Sequence, residues 1–354
     1  MEKEKLNEIL EQKKDKIHLV SPGKGGNIPV VAASGESLAE TWENAMFGLY
    51  VYGCEIRTQY DAKDEEGNYI DPPSKDCSIL MSIGNPTSEP MIHLAGIPGG
   101  LEDLEEYVQE VRDGIKDHWV RDPLDPNDTR WQYTYHERLF KYELPLSEYD
   151  RYLSQLPEEE KRKFHEKETA HFLLDHDYAK LVEKEIRGKK QTFVQINQIQ
   201  NVIEKLSQQP FTRQAQAITW QPYMDTDIYD PACLQSMWFR IFRDENNVPT
   251  LNMNIRFRSR DAYDASFMNC FAFIHVLEYI GNEVGKRISQ DIKIGRYVDE
   301  SDSFHIYGKR IADFENRFLK NLVNRDFSAR TFSRKDAEPY FEERRKKLEE
   351  KFNK

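Results

Sequence analysis

The chain has 354 residues, 38% of them hydrophobic, enough for one large core or two modest ones. Its net charge of -12 excludes a polyanion binder that works by overall charge, while a small anionic ligand needs only a few aimed arginines. No run approaches the ~20 apolar residues of a membrane span, so neither nucleic acid nor membrane is an expected partner. The charged start MEKEKLNEILEQKKDK has no apolar segment of the signal-peptide kind. The four cysteines form no CxxC pair and the histidines show no ligand spacing, so no metal is expected. Free thiols fit a reducing, cytoplasmic setting.

Residues 1–36 read as an N-terminal arm: a charged helix and then the loop SPGKGGN, whose glycines lack the Walker spacing. Ser37 and Glu40 form a capping-box pattern. Leu38, Trp42, Ala45, Met46 and Leu49 then recur at helical spacing, predicting a buried helix that ends near Gly53. A polar, turn-rich loop carries Arg57, and CSILMSIGNP reads as a strand stopped by Pro86. LEDLEEYVQEVRDG is an amphipathic helix closed by Gly114. The aromatic stretch WQYTYHERLF follows a Pro- and Asp-rich loop.

Residues 146–190 are highly charged and read as a helical insertion. INQIQNVIEKL predicts a helix, AQAITW, MWFRIF and TLNMNIRFRS predict strands, and SFMNCFAFIHVLEYIGNEVG predicts a long buried helix. SFHIYG predicts a short strand, and residues 331–354 a charged, exposed C-terminal helix. Strands mixed with long helices, without regular alternation, indicate an α+β fold. No internal repeat is visible.

Between 211 and 307 four elements each set a reactive or polar residue beside an apolar strand or helix: FTRQAQAITW, DPACLQ, RFRSRDAYDASFMN and SFHIYG. A cysteine after Asp-Pro-Ala, between arginine-bearing segments, is a candidate nucleophile. Cationic neighbours favour its thiolate, and Arg213 and Arg258 are placed to supply them while gripping a phosphate. Asn269 lies inside an apolar run, where an unpaired amide is costly, so a ligand or a buried network must satisfy it. Cys54, Cys77 and Cys270 read as small core residues. Arg240, Arg243, Arg256 and Arg260 read as surface ion-pair partners.

The ordered set Arg213, Trp220, Pro231-Ala232-Cys233, Arg258-Ser259-Arg260-Asp261, Asn269 and His305-Ile306-Tyr307 resembles the thymidylate synthases and the related pyrimidine nucleotide hydroxymethylases. Arg57-Thr58 and YTYHERLF are similar to two further family segments, the second especially to archaeal-type members. The resemblance covers roughly residues 37–310. It implies a mixed sheet packed with long helices, a catalytic domain over 37–330, and a homodimer formed through the sheet.

In activity, the resemblance implies attack of Cys233 on C6 of dUMP and one-carbon transfer from 5,10-methylenetetrahydrofolate to C5. It makes Arg57, Arg213, Arg258 and Ser259 substrate-binding residues, with Arg213 reaching into the partner's site. It makes Asp261 the folate contact, Asn269 the reader of the uracil edge, and His305 and Tyr307 the ribose contacts. An amide that donates to O4 and accepts from N3–H suits uracil. Tyr135, with Tyr133 as the alternative, would assist removal of the C5 proton. Glu89 is the candidate for the family's catalytic glutamate, with Glu102 and Glu105 next.

Three departures bear on the outcome. Leu234 follows the nucleophile where many synthases have His, although archaeal-type members also have Leu there. Gln214 stands where most members have a second arginine, for which Arg138 is a candidate substitute. The ending EERRKKLEEKFNK is unlike the apolar lid of ordinary synthases. The last point keeps a dUMP or UMP hydroxymethylase open as the alternative. A non-catalytic nucleotide-binding protein is the further one.

Overall fold

The computed structural model describes residues 3–121, 127–147, 155–161, 174, 176–186 and 188–352. Helix α1 (Lys3–Gln12) precedes strands β1 (Ile17–Ser21) and β2 (Val30–Gly35). Helix α2 (Leu38–Tyr52) starts where the capping residue predicts: Ser37 Oγ accepts the Glu40 N–H at 3.3 Å. The Glu40 carboxylate takes the N–H of Glu36 rather than that of Ser37. Strands β3 (Cys54–Ile56), β4 (Ser74–Ile83) and β5 (Ile92–His93) lead to helix α3 (Leu101–Asp113). Gly114 ends α3 in the left-handed conformation, φ 72°, which a side chain disfavours.

Helix α4 (Tyr135–Phe140) is followed by β6 (Tyr142–Pro145), β7 (Ala179–Ile186), β8 (Lys189–Ile196) and helix α5 (Gln198–Gln208). Then come β9 (Gln216–Ile218), β10 (Leu234–Arg243), β11 (Pro249–Phe257), β12 (Arg260–Asp261) and helix α6 (Ser266–Ile288). Strand β13 (Lys293–Ile306), helical turns between 311 and 324, β14 (Thr331–Phe332) and helix α7 (Arg334–Phe352) complete the order.

One mixed sheet in the order β1-β2-β4-β13-β11-β10-β9 organises the fold, with β3 on β4 and β12 on β13. The pairs β2–β4, β11–β13 and β12–β13 are parallel, and the others antiparallel. Residues alternate across each strand. Met237, Phe239, Ile241, Leu251, Met253 and Ile255 point into the helix-covered core. The opposite face keeps Leu80, Ile218 and Phe242 exposed beside Arg240 and Arg256. Helix α6 is apolar nearly all round because it is enclosed by the sheet, α2, α3 and α5.

Four expectations change. Residues 17–35, read as part of an arm, supply β1 and β2 of the main sheet. The insertion is not wholly helical: β6, β8 and β7 form a separate antiparallel sheet, in which Phe193 and Val194 are buried. Its described helix is the single turn Glu158–Lys161, and most of the stretch PEEEKRKFHEKE lies outside the described residues. The strand containing SFHIYG is long, because its polar residues up to Ser303 alternate with buried ones on two partner strands. The C-terminal helix is docked rather than exposed: Ala337, Phe341 and Leu348 are buried, and Arg345 meets Glu105 at 2.9 Å.

Candidate functional site

The candidate site lies where β10 begins and where β11 and β13 end. Cys233 is the residue before β10, and its carbonyl accepts the Arg258 N–H at 2.9 Å, just past the end of β11. The Arg258 side chain wraps the same turn. Its Nε donates to the Ala232 carbonyl at 3.1 Å and its Nη2 to the Pro231 carbonyl at 2.5 Å, and Nη2 lies 3.7 Å from Cys233 Sγ. The β12–β13 pairing sets Asp261 opposite His305. Tyr307 follows, with its ring centroid 4.6 Å from that of His305. Gly308 comes next and lies so close to the Pro72 carbonyl that a Cβ there would clash, which seats the loop 57–73 against this end of the sheet. That loop offers Tyr60, edge-on to both Tyr307 and Tyr229.

Cys233 is half-buried. Burial pushes its thiol up, while Arg258, the Tyr133 hydroxyl and Arg260 pull it down and nearby Asp230 opposes them. Tyr133 Oη accepts the Cys233 backbone N–H at 3.1 Å, and the Tyr135 hydroxyl is in turn hydrogen-bonded to that of Tyr133. The tyrosine in direct contact with Cys233 is therefore Tyr133, and Tyr135 stands one step behind it, packed against Phe273. A cavity of about 240 Å³ opens beside Tyr133, lined by Tyr107, Glu110, Trp131, Tyr135 and Asp230 among others. A second cavity of about 290 Å³, between α4 and the small sheet, shares Gln132 with it.

Asn269 is buried on the first turns of α6, with its amide held on both sides. Arg260 Nε donates to Oδ1 at 3.3 Å, and Nδ2 donates to Tyr107 Oη at 2.5 Å. Arg260 is not a surface residue: its guanidinium is enclosed and pairs with Asp299 at 2.5 Å. Asp261 Oδ1 accepts the N–H groups of Tyr263 and Asp264 at 3.1 and 2.9 Å, and burial pushes its carboxyl up to about 6. His305 Nδ1 lies 3.2 Å from Ser303 Oγ, and its buried Nε2 has no partner among the described residues. Burial lowers this imidazole to about 4, so it is neutral at pH 7. Ser259 is half-buried beside them.

Other predicted residues are not brought to Cys233. Arg57 stays within its own loop, bonded to the Asp71 carbonyl at 2.7 Å and stacked on Tyr69. Arg213 is exposed, with no side-chain partner among the described residues, and its carbonyl accepts the Trp238 indole N–H. Arg138 is committed to a buried bidentate pair with Asp225, at 2.8 and 3.1 Å, so it is no substitute phosphate ligand. Glu89 does not line the cavity: its carboxylate accepts the N–H of Met91 at 2.8 Å and that of Arg334 at 3.0 Å. Glu105 is spent on Gln109 and Arg345, and Glu102 sits exposed at the start of α3.

Two acids line the cavity, Asp230 and Glu110, and Glu110 lies one turn along α3 from Tyr107, with Lys116 at 3.0 Å. Burial pushes its carboxyl up, against the pull of Lys116. Sequence reasoning missed Tyr107, Glu110, Asp230 and Tyr60. For the first two a signal existed, since the i, i+3 spacing puts them on one face of a recognised helix. Among the described residues no group of His, Cys, Asp or Glu is arranged to hold a metal ion, and no helix is long and apolar enough to cross a membrane.

Comparison with known proteins bears on this arrangement. The thymidylate synthase family model matches residues 143–336, more than half of the chain, a stretch that includes Cys233, Arg258, Asp261, Asn269, His305 and Tyr307. A protein of Methanocaldococcus jannaschii named "Putative thymidylate synthase" is 35% identical over 133 residues, which are 36% of this chain and 55% of that protein. A namesake from Methanosarcina barkeri is 35% identical over 128 residues, 36% of this chain and 52% of that one. The deoxyuridylate hydroxymethyltransferase of Bacillus phage SP01 is 28% identical over 116 residues, 32% of this chain and 27% of that one. The chain thus spans about half the length of the archaeal relatives it matches. Among solved structures, the thermostable thymidylate synthase A of Bacillus subtilis aligns with a TM-score of 0.44 at 13% identity, over 80% of this chain and 84% of that one. With the Pro-Ala-Cys turn, the Arg-Ser-Arg-Asp segment and the His-Ile-Tyr end of β13 all inside the matched stretch, the chain belongs to the thymidylate synthase family.

Proposed function

We propose that this protein transfers a one-carbon unit from 5,10-methylenetetrahydrofolate to C5 of dUMP, giving dTMP, with Cys233 as the nucleophile. The observation that carries the reading is the thiol of Cys233, half-buried, 3.7 Å from a guanidinium nitrogen of Arg258 and in contact with the Tyr133 hydroxyl. A soft nucleophile of this kind suits C6 of a pyrimidine. As the S–C6 bond forms, the electron pair of the C5–C6 double bond moves toward C5 and O4, and C5 becomes the carbon nucleophile. Methylenetetrahydrofolate, when bound, supplies the one-carbon unit and, for a methyl product, the hydride.

The chain's own groups fit the remaining tasks. Asn269 would read the base edge, and His305 and Tyr307 would hold the ribose. Tyr133, relayed to Tyr135, would assist removal of the C5 proton, with Glu110 as an acid facing the cavity. The aromatic wall of Trp131, Tyr107 and Tyr133 is chemically suited to a flat heterocycle, and Asp261 would accept from its amino donors. Ser259 and Arg258 would bind the nucleotide from this chain. The unpartnered Arg213, and Arg57 on its loop, would join from the exposed sheet face and the site rim. The exposed Leu80, Ile218 and Phe242 support a homodimer formed through the sheet. A cytoplasmic location suits the four free cysteines.

A second reading, hydroxymethylation of dUMP, is favoured by the similarity to the phage deoxyuridylate hydroxymethyltransferase. Product mass after incubation with dUMP and methylenetetrahydrofolate separates the two. Thymidylate with dihydrofolate supports the synthase, 5-hydroxymethyl-dUMP supports the hydroxymethylase, and binding without any product leaves a nucleotide-binding protein.

A further inference from the structure

The Asn269 amide is gripped by a buried network that the proposed chemistry does not use. Arg260 is 3% exposed, and its guanidinium lies 4.0 Å over the ring of Phe257. Its Nη1 meets Asp299 Oδ2 at 2.5 Å, and its Nη2 donates to the Ser266 carbonyl at 3.0 Å. Asp299 is fully buried and also accepts the Tyr297 hydroxyl at 2.7 Å. Thus fixed, the guanidinium aims Nε at Asn269 Oδ1, 3.3 Å away. On the other side of the amide, Nδ2 gives one hydrogen to Tyr107 Oη.

We propose that Arg260, held by Asp299, is a positioning residue that locks the Asn269 amide in one of its two flip states and thereby makes the site select a 4-oxo pyrimidine over a 4-amino one. The inference rests on the reading that Asn269 faces the base. A guanidinium has donors only, so the amide atom facing it must be the oxygen. Turning the amide over would set its NH₂ against the Nε–H, two donors confronted at a buried site. The penalty for such unpaired buried donors corresponds to about a tenfold or larger bias against the flipped state.

In the locked state the amide keeps one free Nδ2 hydrogen and one free lone pair on Oδ1. A donor beside an acceptor complements a ring carbonyl next to a ring N–H, the edge of uracil. Cytosine presents an amino group next to an unprotonated ring nitrogen and needs the two atoms exchanged, which is what the flip would do. Arg260 therefore decides which base the same asparagine accepts, without touching the base itself.

The test is equilibrium binding of dUMP and of dCMP to the full chain, which is independent of turnover. It compares wild type with Arg260→Lys, which keeps a charge for Asp299 and removes the Nε donor, and with Asp299→Asn, which keeps the shape and releases the guanidinium. Thermal unfolding reports whether each variant is folded. Wild type is expected to prefer dUMP by about tenfold or more, Arg260→Lys to narrow that ratio by about tenfold, mainly by gaining dCMP affinity, and Asp299→Asn to narrow it less. If Arg260→Lys does not fold, Asp299→Asn decides. A folded variant that keeps the wild-type ratio overturns the lock, as does a wild type that binds both nucleotides equally while the nucleotide reading stands. A wild type that binds neither overturns the nucleotide reading itself, and the lock with it.

Discussion

The carboxylate of Glu89 accepts the backbone N–H of Arg334 through both oxygens, at 3.0 and 3.1 Å, so it closes the N-terminus of α7. Its work is that of a helix cap. Glu89→Ala is expected to lower stability by about 1 kcal/mol in urea unfolding and to leave turnover within about twofold of wild type. Glu110→Gln is expected to do the reverse. With an acid–base group removed, kcat should fall by about 10² or more, with dUMP affinity changed far less. Equal loss of kcat in both variants, in steady-state assays, contradicts this assignment.

The difference between these two glutamates shows where the sequence is legible. The helix of residues 101–113 is plain from its periodicity and its glycine stop, but which of its acidic residues faces the site depends on what α6 and α7 cover. Cys233, Arg258, Asp261 and His305 could be read because their order along the chain resembles the family's pattern. Arg260 could not: a charged residue in step with the exposed strand position Arg256, four places earlier, reads as surface, and only the fold brings Asp299 from β13 beneath it. The strands β7 and β8 were hidden for a related reason. Their sheet buries little, so KLVEKEI and KKQTFVQI carry a weak alternation under a heavy charge. Likewise β1 and β2 are short, and their place in the main sheet follows from the parallel pairing with β4, a long-range contact no local pattern announces.

A second buried network supports the other side of the core. Glu43 is 1% exposed and is met by Arg330 at 2.7 and 2.9 Å, by His93 at 3.1 Å and by Lys13 at 3.1 Å. Burial pushes its carboxyl up, but the bonds from His93 and Arg330 and the charge of Lys13 outweigh this and hold it at about 2. The folded value lies below the ordinary one, so the stabilisation is present above about pH 4.5 and is lost as pH falls toward 2. Glu43→Gln is expected to be about 3 kcal/mol less stable than wild type at pH 7. That gap should be roughly halved at pH 3, as urea unfolding at both pH values can check.

Asp76 has the opposite sign. Burial raises its carboxyl to about 6, despite hydrogen bonds from Ser303 and from the backbone of Cys77 and Phe304. The folded state then binds a proton that the unfolded state has released, so this group makes stability fall as pH rises from about 4 to about 6. Asp76→Asn removes the effect. Compared with wild type, its stability should improve by about 2 kcal/mol between pH 4 and pH 7 and stay level above that. A constant difference across that range contradicts the account.

The exposed sheet face makes a prediction about assembly. Sedimentation should find the wild type dimeric, and Ile218→Asp or Phe242→Asp should each shift it to monomer. Arg213→Ala should remain dimeric and lose about tenfold or more in dUMP affinity, the loss of a charge-assisted phosphate contact. A dimeric Phe242→Asp together with a dimeric Ile218→Asp places the interface elsewhere.

The central claim is that Cys233 activates C5 by adding to C6, and proton release from C5 reports that step. Tritium release from C5-tritiated dUMP, in the presence of methylenetetrahydrofolate, should be readily measured for the wild type. It should be absent for Cys233→Ala, while both proteins bind dUMP with similar affinity. Release by Cys233→Ala at the wild-type rate, or no release by a wild type that binds dUMP, contradicts it.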